Sequence, residues 1–240
     1  MRSILVREFG GPEVLRLEEG PELTPAPGQV LVRVRAAGVN PVDAYVRTGT
    51  YAQKPALPYV PGSDGAGEIE AVGSEVSGLA RGERIYIAND NTQAPRTGTY
   101  ADYALCAPGQ IHRLPMTASF SQGAALGVPY ATAYRALFMR ANARPAETVL
   151  VHGASGGVGV AAVQFARAHG MRIIATAGTD RGMQLARDNG ADVVLNHTDP
   201  SYVAAIMKAA DGRGADVILE MAAHINLDRD LTMQIGRAHV

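Results

Sequence analysis

Along the first third of the chain, apolar and polar residues alternate in short runs broken by glycine and proline. Ser3–Val6 and Val14–Glu18 are short strand candidates separated by Gly10-Gly11-Pro12, a turn signal. The alternation is clearest in Gln29–Ala37, where Val30, Val32 and Val34 fall on one face and Leu31, Arg33 and Arg35 on the other. Gly67–Val72, Arg84–Ala88 and Tyr100–Cys106 extend the series, which predicts a small β-barrel or sandwich. One short helix interrupts it: Asn40 offers an N-cap, Pro41 a first-turn proline and Gly49 the exit.

Near residue 120 the pattern changes. Ser121 is placed to cap a short helix, and Pro129 to open a longer one running to about Asn142. Beyond Pro145 strands and helices alternate: strand Thr148–His152, helix Val158–His169, strand Arg172–Ala177, and a helix capped by Thr179 and ended by Gly190. Strand Val193–Asn196, a helix started by Asp199-Pro200 and strand Val217–Glu220 follow. Such alternation predicts a parallel sheet covered on both faces. The expected organisation is a β-rich domain over residues 1–122 and an α/β domain over residues 123–240.

The α/β half reads as unfinished. A dinucleotide fold has six strands ordered 3-2-1-4-5-6, whereas Thr148–Val240 provides four by this reading. The fourth would then be an apolar edge without its neighbour. The tail Gln234–Val240 fits neither a strand nor a continuing helix and reads like the translation of a sequencing adapter, so the native frame is expected to stop near Met233.

Composition narrows the class. At 240 residues, 47% hydrophobic and 19% charged, the chain is an ordinary globular sequence. Its net charge of −1 gives no electrostatic reason to bind nucleic acid or an acidic membrane. A single cysteine, Cys106, excludes an internal disulfide and any Cys-rich zinc module, and its apolar strand makes it a core residue. No apolar run reaches the ~18 residues of a membrane span, and the first residues lack a signal peptide's hydrophobic region, so a cytoplasmic location is expected.

The chemistry begins at Val149–Gly159, which reads VLVHGASGGVG. It follows a buried strand and opens a helix, the context in which a glycine cluster has a mechanism. Gly153 permits the tight turn, Gly156 and Gly157 let the backbone approach a pyrophosphate, and Gly159 lets helix pack on strand. Helix-start N–H groups then face the phosphates with the positive end of the dipole behind them. An NAD site places a carboxylate at the tip of the second strand; here that strand ends in Gly178, with Arg181 three residues on and Asp180 beside it. This favours NADPH. The six histidines show no metal-ligand spacing and there is no Cys-x-x-Cys. Ser155 resembles a hydrolase elbow serine, but its glycine neighbours read better as a phosphate cradle.

Several segments carry a family likeness: Phe9–Leu15, Gly38–Asp43, Pro61–Asp64, Gly127–Leu137, and Val149–Gly159 with Gln164 and Arg167. On these the chain resembles the zinc-free quinone oxidoreductases, the zeta-crystallin group of the medium-chain dehydrogenase/reductase superfamily. Zinc-binding relatives have a Cys near Gly38 and a His-Glu pair near Ser63-Asp64, and neither is present here. The resemblance implies a GroES-like β-barrel, a Rossmann domain that is incomplete here, a cleft between them for NADPH and substrate, and a homo-oligomeric parent. It also implies that Ser155, Gly156, Gly157 and Val158 contact the phosphates, that Gly178 and His197 line the adenosine side, and that Tyr45 and Asn226 touch the cofactor.

Each carried residue has a structural reading beside the functional one. Asn40 either caps its helix or turns its amide to the cleft. Tyr45 either packs or donates a hydrogen bond to a developing oxyanion, with Tyr51 and Tyr130 weaker candidates and Thr132 a possible amide-orienting group. His197 is a loop residue or stacks on adenine, and Asn226 caps a helix Leu227–Met233 or meets the cofactor. The expected function is metal-free, NADPH-dependent reduction of quinones or other α,β-unsaturated carbonyls. The alternatives are an NADPH-binding, crystallin-like structural protein and an inactive truncated fragment.

Overall fold

The computed structural model describes residues 1–88 and 97–239. In chain order the elements are β1 (Arg2–Leu5), β2 (Arg16–Glu19), β3 (Val30–Ala37), α1 (Pro41–Arg47), β4 (Gly65–Val72), β5 (Arg84–Ile87), β6 (Tyr103–Cys106), β7 (Ile111–Arg113) and α2 (Phe120–Ala124). There follow α3 (Gly127–Tyr134), β8 (Thr148–Val151), α4 (Gly157–Ala168), β9 (Arg172–Ala177), α5 (Asp180–Asp188), β10 (Val193–Asn196), α6 (Tyr202–Ala209), β11 (Ala215–Leu219), α7 (Ala223–Met233) and β12 (Gln234–His239). Two compact units result, Met1–Val128 and Pro129–Val240.

In the N-terminal unit five antiparallel strands form one sheet in the order β6-β3-β4-β5-β7, and β1 and β2 pair as a separate ribbon. The alternation read in Gln29–Ala37 is realised: Val30 and Val32 are buried with Ile69, Ile85, Ile87, Ala104, Cys106 and Ile111, and Val34 packs against them. Strand β7, which closes the sheet against β5, carries only one apolar residue, Ile111, and gave no periodic signal. The short helix that follows is capped by Ser119 rather than Ser121: the Ser119 hydroxyl accepts from Gln122 N at 3.1 Å while Gln122 Oε1 accepts from Ser119 N at 2.8 Å. This reciprocal box needs Ser and Gln three apart, and Ser121 lacks such a partner.

In the C-terminal unit five parallel strands run in the order β10-β9-β8-β11-β12, the 3-2-1-4-5 sequence of a dinucleotide fold. Because the sheet is covered on both faces, neighbouring residues of one strand enter different cores. Val149 and Val151 join Ile173, Ala175, Val217 and Leu219 against Ala161, Ala162 and Ala166 of α4. Leu150 joins Ile174 and Ile218 against Tyr202 and Ile206 of α6 and Met233 of α7. Among the described residues, no helix is long and apolar enough to cross a membrane.

Three expectations are corrected here. Gln234–His239 is a strand, parallel to β11, so β11 is not the sheet edge and the unit has five strands rather than four. The pairing is made by main-chain N–H and C=O groups, which side-chain pattern does not report. Helix α3 begins at Gly127, two residues before Pro129, and continues as a π-helical turn over Arg135–Arg140; a proline in the first turn removes no helical hydrogen bond. Helix α7 begins at Ala223, which puts Asn226 inside it instead of at its cap.

Leu150 is fully buried between sheet and helices. We expect Leu150→Ala to lower the unfolding free energy by about 2–5 kcal/mol in urea titration; a loss near zero contradicts the packing described.

Candidate functional site

The tip of β8 enters a turn in which Gly153 has φ +59°, a left-handed conformation that a side chain disfavours. The turn is fixed by Ala154 N donating to Thr176 O at 2.9 Å and Gly156 N donating to Gly153 O at 2.9 Å. Gly156, at ψ 170°, is the N-cap of α4, and Val160 N closes the first helical bond onto its carbonyl. The amides of Gly157 and Val158 therefore lie in the first turn, where the carbonyls four residues back, of Gly153 and Ala154, lie outside the helix. Gly159 is where α4 crosses the turn. A Cβ there would strike the Gly153 carbonyl and come within 2.6 Å of Ala154 Cα.

Around this turn the sheet's other C-terminal ends gather several predicted residues. A Cβ on Gly178, just beyond β9, would lie 2.7 Å from His197 Nε2, beyond β10. A Cβ on Gly182 would lie 3.0 Å from Ser155 Oγ, which places the serine at the first turn of α5. Thr179 caps α5, its hydroxyl accepting from Gly182 N at 3.0 Å. Arg181 and Asp180 are exposed in the same turn, and His197 is exposed beside it. Ser155, Gly156, Gly157, Val158, Gly159, Gly178, Arg181 and His197 thus share the end of the sheet at β8, β9 and β10.

The remaining candidates of this unit are held differently. Asn226 Nδ2 donates to Glu220 Oε2 at 2.8 Å, which fixes its amide at the end of β11. Tyr130 is half-buried and its hydroxyl donates to Gln164 Oε1 on α4; Gln164 Nε2 in turn donates to Asn189 Oδ1 at 2.6 Å. Burial raises the Tyr130 phenol above its ordinary value, with the Gln164 bond opposing. The phenol therefore serves as a strut between helices. Thr132 is exposed on α3.

In the N-terminal unit, Asn40 does not cap α1 with its side chain. The cap runs the other way, with Asn40 N donating to Asp43 Oδ2 at 2.8 Å. The Asn40 amide is buried and donates to Asp64 Oδ2 at 2.9 Å, and Val128 N donates to the same carboxylate at 2.8 Å. Asp43 also accepts from Tyr100 Oη at 3.0 Å, and burial followed by the Asp43 charge drives the Tyr100 phenol well above its usual range. Tyr45 and Tyr51 are exposed at 55% and 43%, on and just after α1. Sequence reading missed Asp64 as an organising residue and the pairing of His152 with Asp230, 78 positions apart.

A GroES-like unit joined to a Rossmann unit whose glycine-rich turn starts a helix defines the medium-chain dehydrogenase/reductase class. The family described as "Alcohol dehydrogenase GroES-like domain" matches residues 26–116, and the one described as "Zinc-binding dehydrogenase" matches residues 157–234. A quinone oxidoreductase of Rattus norvegicus is 52% identical over 235 residues, which is 97% of this chain and 70% of the relative. Among solved structures, an NAD-dependent alcohol dehydrogenase superposes with TM-score 0.91 at 32% identity, over 99% of this chain and 76% of its own. An Escherichia coli quinone oxidoreductase complexed with NADPH gives 0.86 at 31%, over 98% and 70%. The chain belongs to the quinone oxidoreductase family and is an oxidoreductase by that membership.

We expect Gly159→Ala to push α4 off the turn, lowering the unfolding midpoint and abolishing nicotinamide-dinucleotide binding. Gly156→Ala, whose nearest atom would be Gly153 O at 3.3 Å, should keep the fold and weaken binding alone. Calorimetric titration with each variant checks both, and undiminished binding by Gly159→Ala contradicts the assignment.

Proposed function

We propose that the chain binds NADPH at the glycine-rich turn and reduces quinones or other α,β-unsaturated carbonyls without a metal. The observation that carries this reading is the turn itself: first-turn amides at Gly157 and Val158, and a glycine at 159 where a Cβ would strike the Gly153 carbonyl. The dinucleotide, when bound, supplies the hydride for an electron-poor acceptor.

The chain's own residues bind and orient. The amides of Gly157 and Val158, with the hydroxyl of Ser155, hold the diphosphate. At Gly178 no carboxylate stands against a 2′-phosphate, and Arg181 supplies a guanidinium for it. His197, over Gly178, offers a flat ring to the adenine, and Asn226, its amide nitrogen held by Glu220, contacts the cofactor as the family resemblance implies. Tyr45 donates a hydrogen bond to the oxygen on which negative charge develops, with Tyr51 beside it and Thr132 orienting an amide. The zinc-free reading is supported by the donor set: Gly38, Ser63 and Asp64 stand where thiolate and imidazole ligands would be needed. Asp64 is already occupied by Asn40 and Val128. The reaction belongs to the cytoplasm, and the assembled protein is a homo-oligomer.

NADPH consumption is followed with a quinone and then with an enone, against NADH as the control. We expect turnover with NADPH, and a preference over NADH that falls about fivefold to tenfold in Arg181→Ala. Tyr45→Phe should keep nucleotide affinity and lose about 100-fold in turnover. Equal use of NADH overturns the cofactor assignment, unchanged turnover in Tyr45→Phe overturns its role, and binding without turnover favours a non-catalytic protein.

A further inference from the structure

Beneath the glycine-rich turn lies a buried cluster that none of these steps uses. His152 follows β8 and directly precedes Gly153; its ring Nδ1 is 3.2 Å from Thr176 Oγ1 on β9. Its Nε2 is 2.9 Å from Asp230 Oδ1 on α7 and 3.8 Å from Glu220 Oε2, just past β11. The three side chains are 5%, 6% and 2% exposed. Glu220 also accepts from Ala222 N and from Asn226 Nδ2, so it fixes the entry to α7 and the amide assigned to the cofactor.

The charge count of this cluster is unbalanced. With a neutral ring and two carboxylates it would hold two buried negative charges with no cation opposite them. Of the elements packed around it, β9 contributes the uncharged Thr176, and α6 contributes Tyr202, whose hydroxyl is taken by Arg229 of α7 at 3.2 Å. Asp228 and His224 of α7 are exposed. Among the described residues, His152 is the one basic side chain within 4.0 Å of either carboxylate, and it opposes their charge only when protonated. A proton kept within the cluster lowers its charge from two negatives to one, and its loss restores the second under the turn that receives the diphosphate.

We propose that His152, Glu220 and Asp230 are positioning residues of the dinucleotide site. They clamp α7, with Asn226, to the strand that delivers the glycine-rich turn, and their shared proton makes nucleotide affinity fall as pH rises. The proposal rests on the dinucleotide reading above. Burial, with the neighbouring Glu220 charge, raises the Asp230 carboxyl above its ordinary range, and His152 opposes this. A raised folded-state value means the contribution to folding is complete below the ordinary carboxylate range and is lost as pH rises through the raised titration.

The test uses the whole chain and NADPH as the probe, titrated between pH 5.5 and 9 for wild type, Asp230→Asn, Asp230→Ala and Glu220→Gln, with circular dichroism in parallel to follow the fold. Wild-type affinity should fall as pH rises. Asp230→Asn removes the carboxyl whose titration is raised by burial, so the dependence of affinity on pH should flatten. Asp230→Ala should lose about tenfold in affinity, as a charge-assisted hydrogen bond is removed, and Glu220→Gln should flatten the pH profile while the chain stays folded. An affinity profile unchanged by Asp230→Asn overturns the proposal, as does a wild-type affinity independent of pH. If wild type binds no NADPH at any pH, the underlying functional reading falls, and this proposal with it.

Discussion

The constraint on which the rest depends is the contact between the first turn of α4 and the turn leaving β8. At Gly159 the two backbones approach so closely that even a methyl group would strike Ala154 and the Gly153 carbonyl. That approach sets the start of α4, with the amides of its first turn, directly after the end of β8. It also brings the small residues Ala161, Ala162 and Ala166 down onto Val149, Val151 and Ile173, so the site and the larger core form together.

The sheet distributes functions around that contact. Its first strand delivers the turn, its second ends at Gly178, its third leads to His197, and its fourth ends at Glu220, which holds Asn226. The side chains of one strand enter two cores, so a change in β8 reaches both α4 and α6. In the N-terminal unit Asp64 has a comparable organising role: it binds the Asn40 amide from one side and the Val128 amide, at the start of α3, from the other.

What was legible in the sequence is what local chemistry determines. The spacing of Gly153, Gly156, Gly157 and Gly159 encodes a tight turn and a close helix crossing, and both are realised. The alternation of Val30, Val32 and Val34 encodes one buried face, and Thr179 caps the helix it precedes. What was not legible depends on distant partners. The Asn40 amide looked like a cap because Pro41 follows it, yet its partner is Asp64, 24 positions away. His152 looked like a strand residue, yet Asp230 and Glu220 reach it only once α7 folds back over β8 and β11. Strand β12 escaped because β11 recruits it through backbone groups, and Ser119 was passed over because the deciding residue is Gln122.

The central claim is that main-chain amides of the glycine-rich turn receive the dinucleotide. Backbone amide NMR of the isotopically labelled chain, with and without saturating NADPH, tests it most directly. The account predicts that the largest shifts fall on Gly156, Gly157 and Val158, with Gly178 and His197 following. Shifts confined to other segments, or none at saturation, would contradict it.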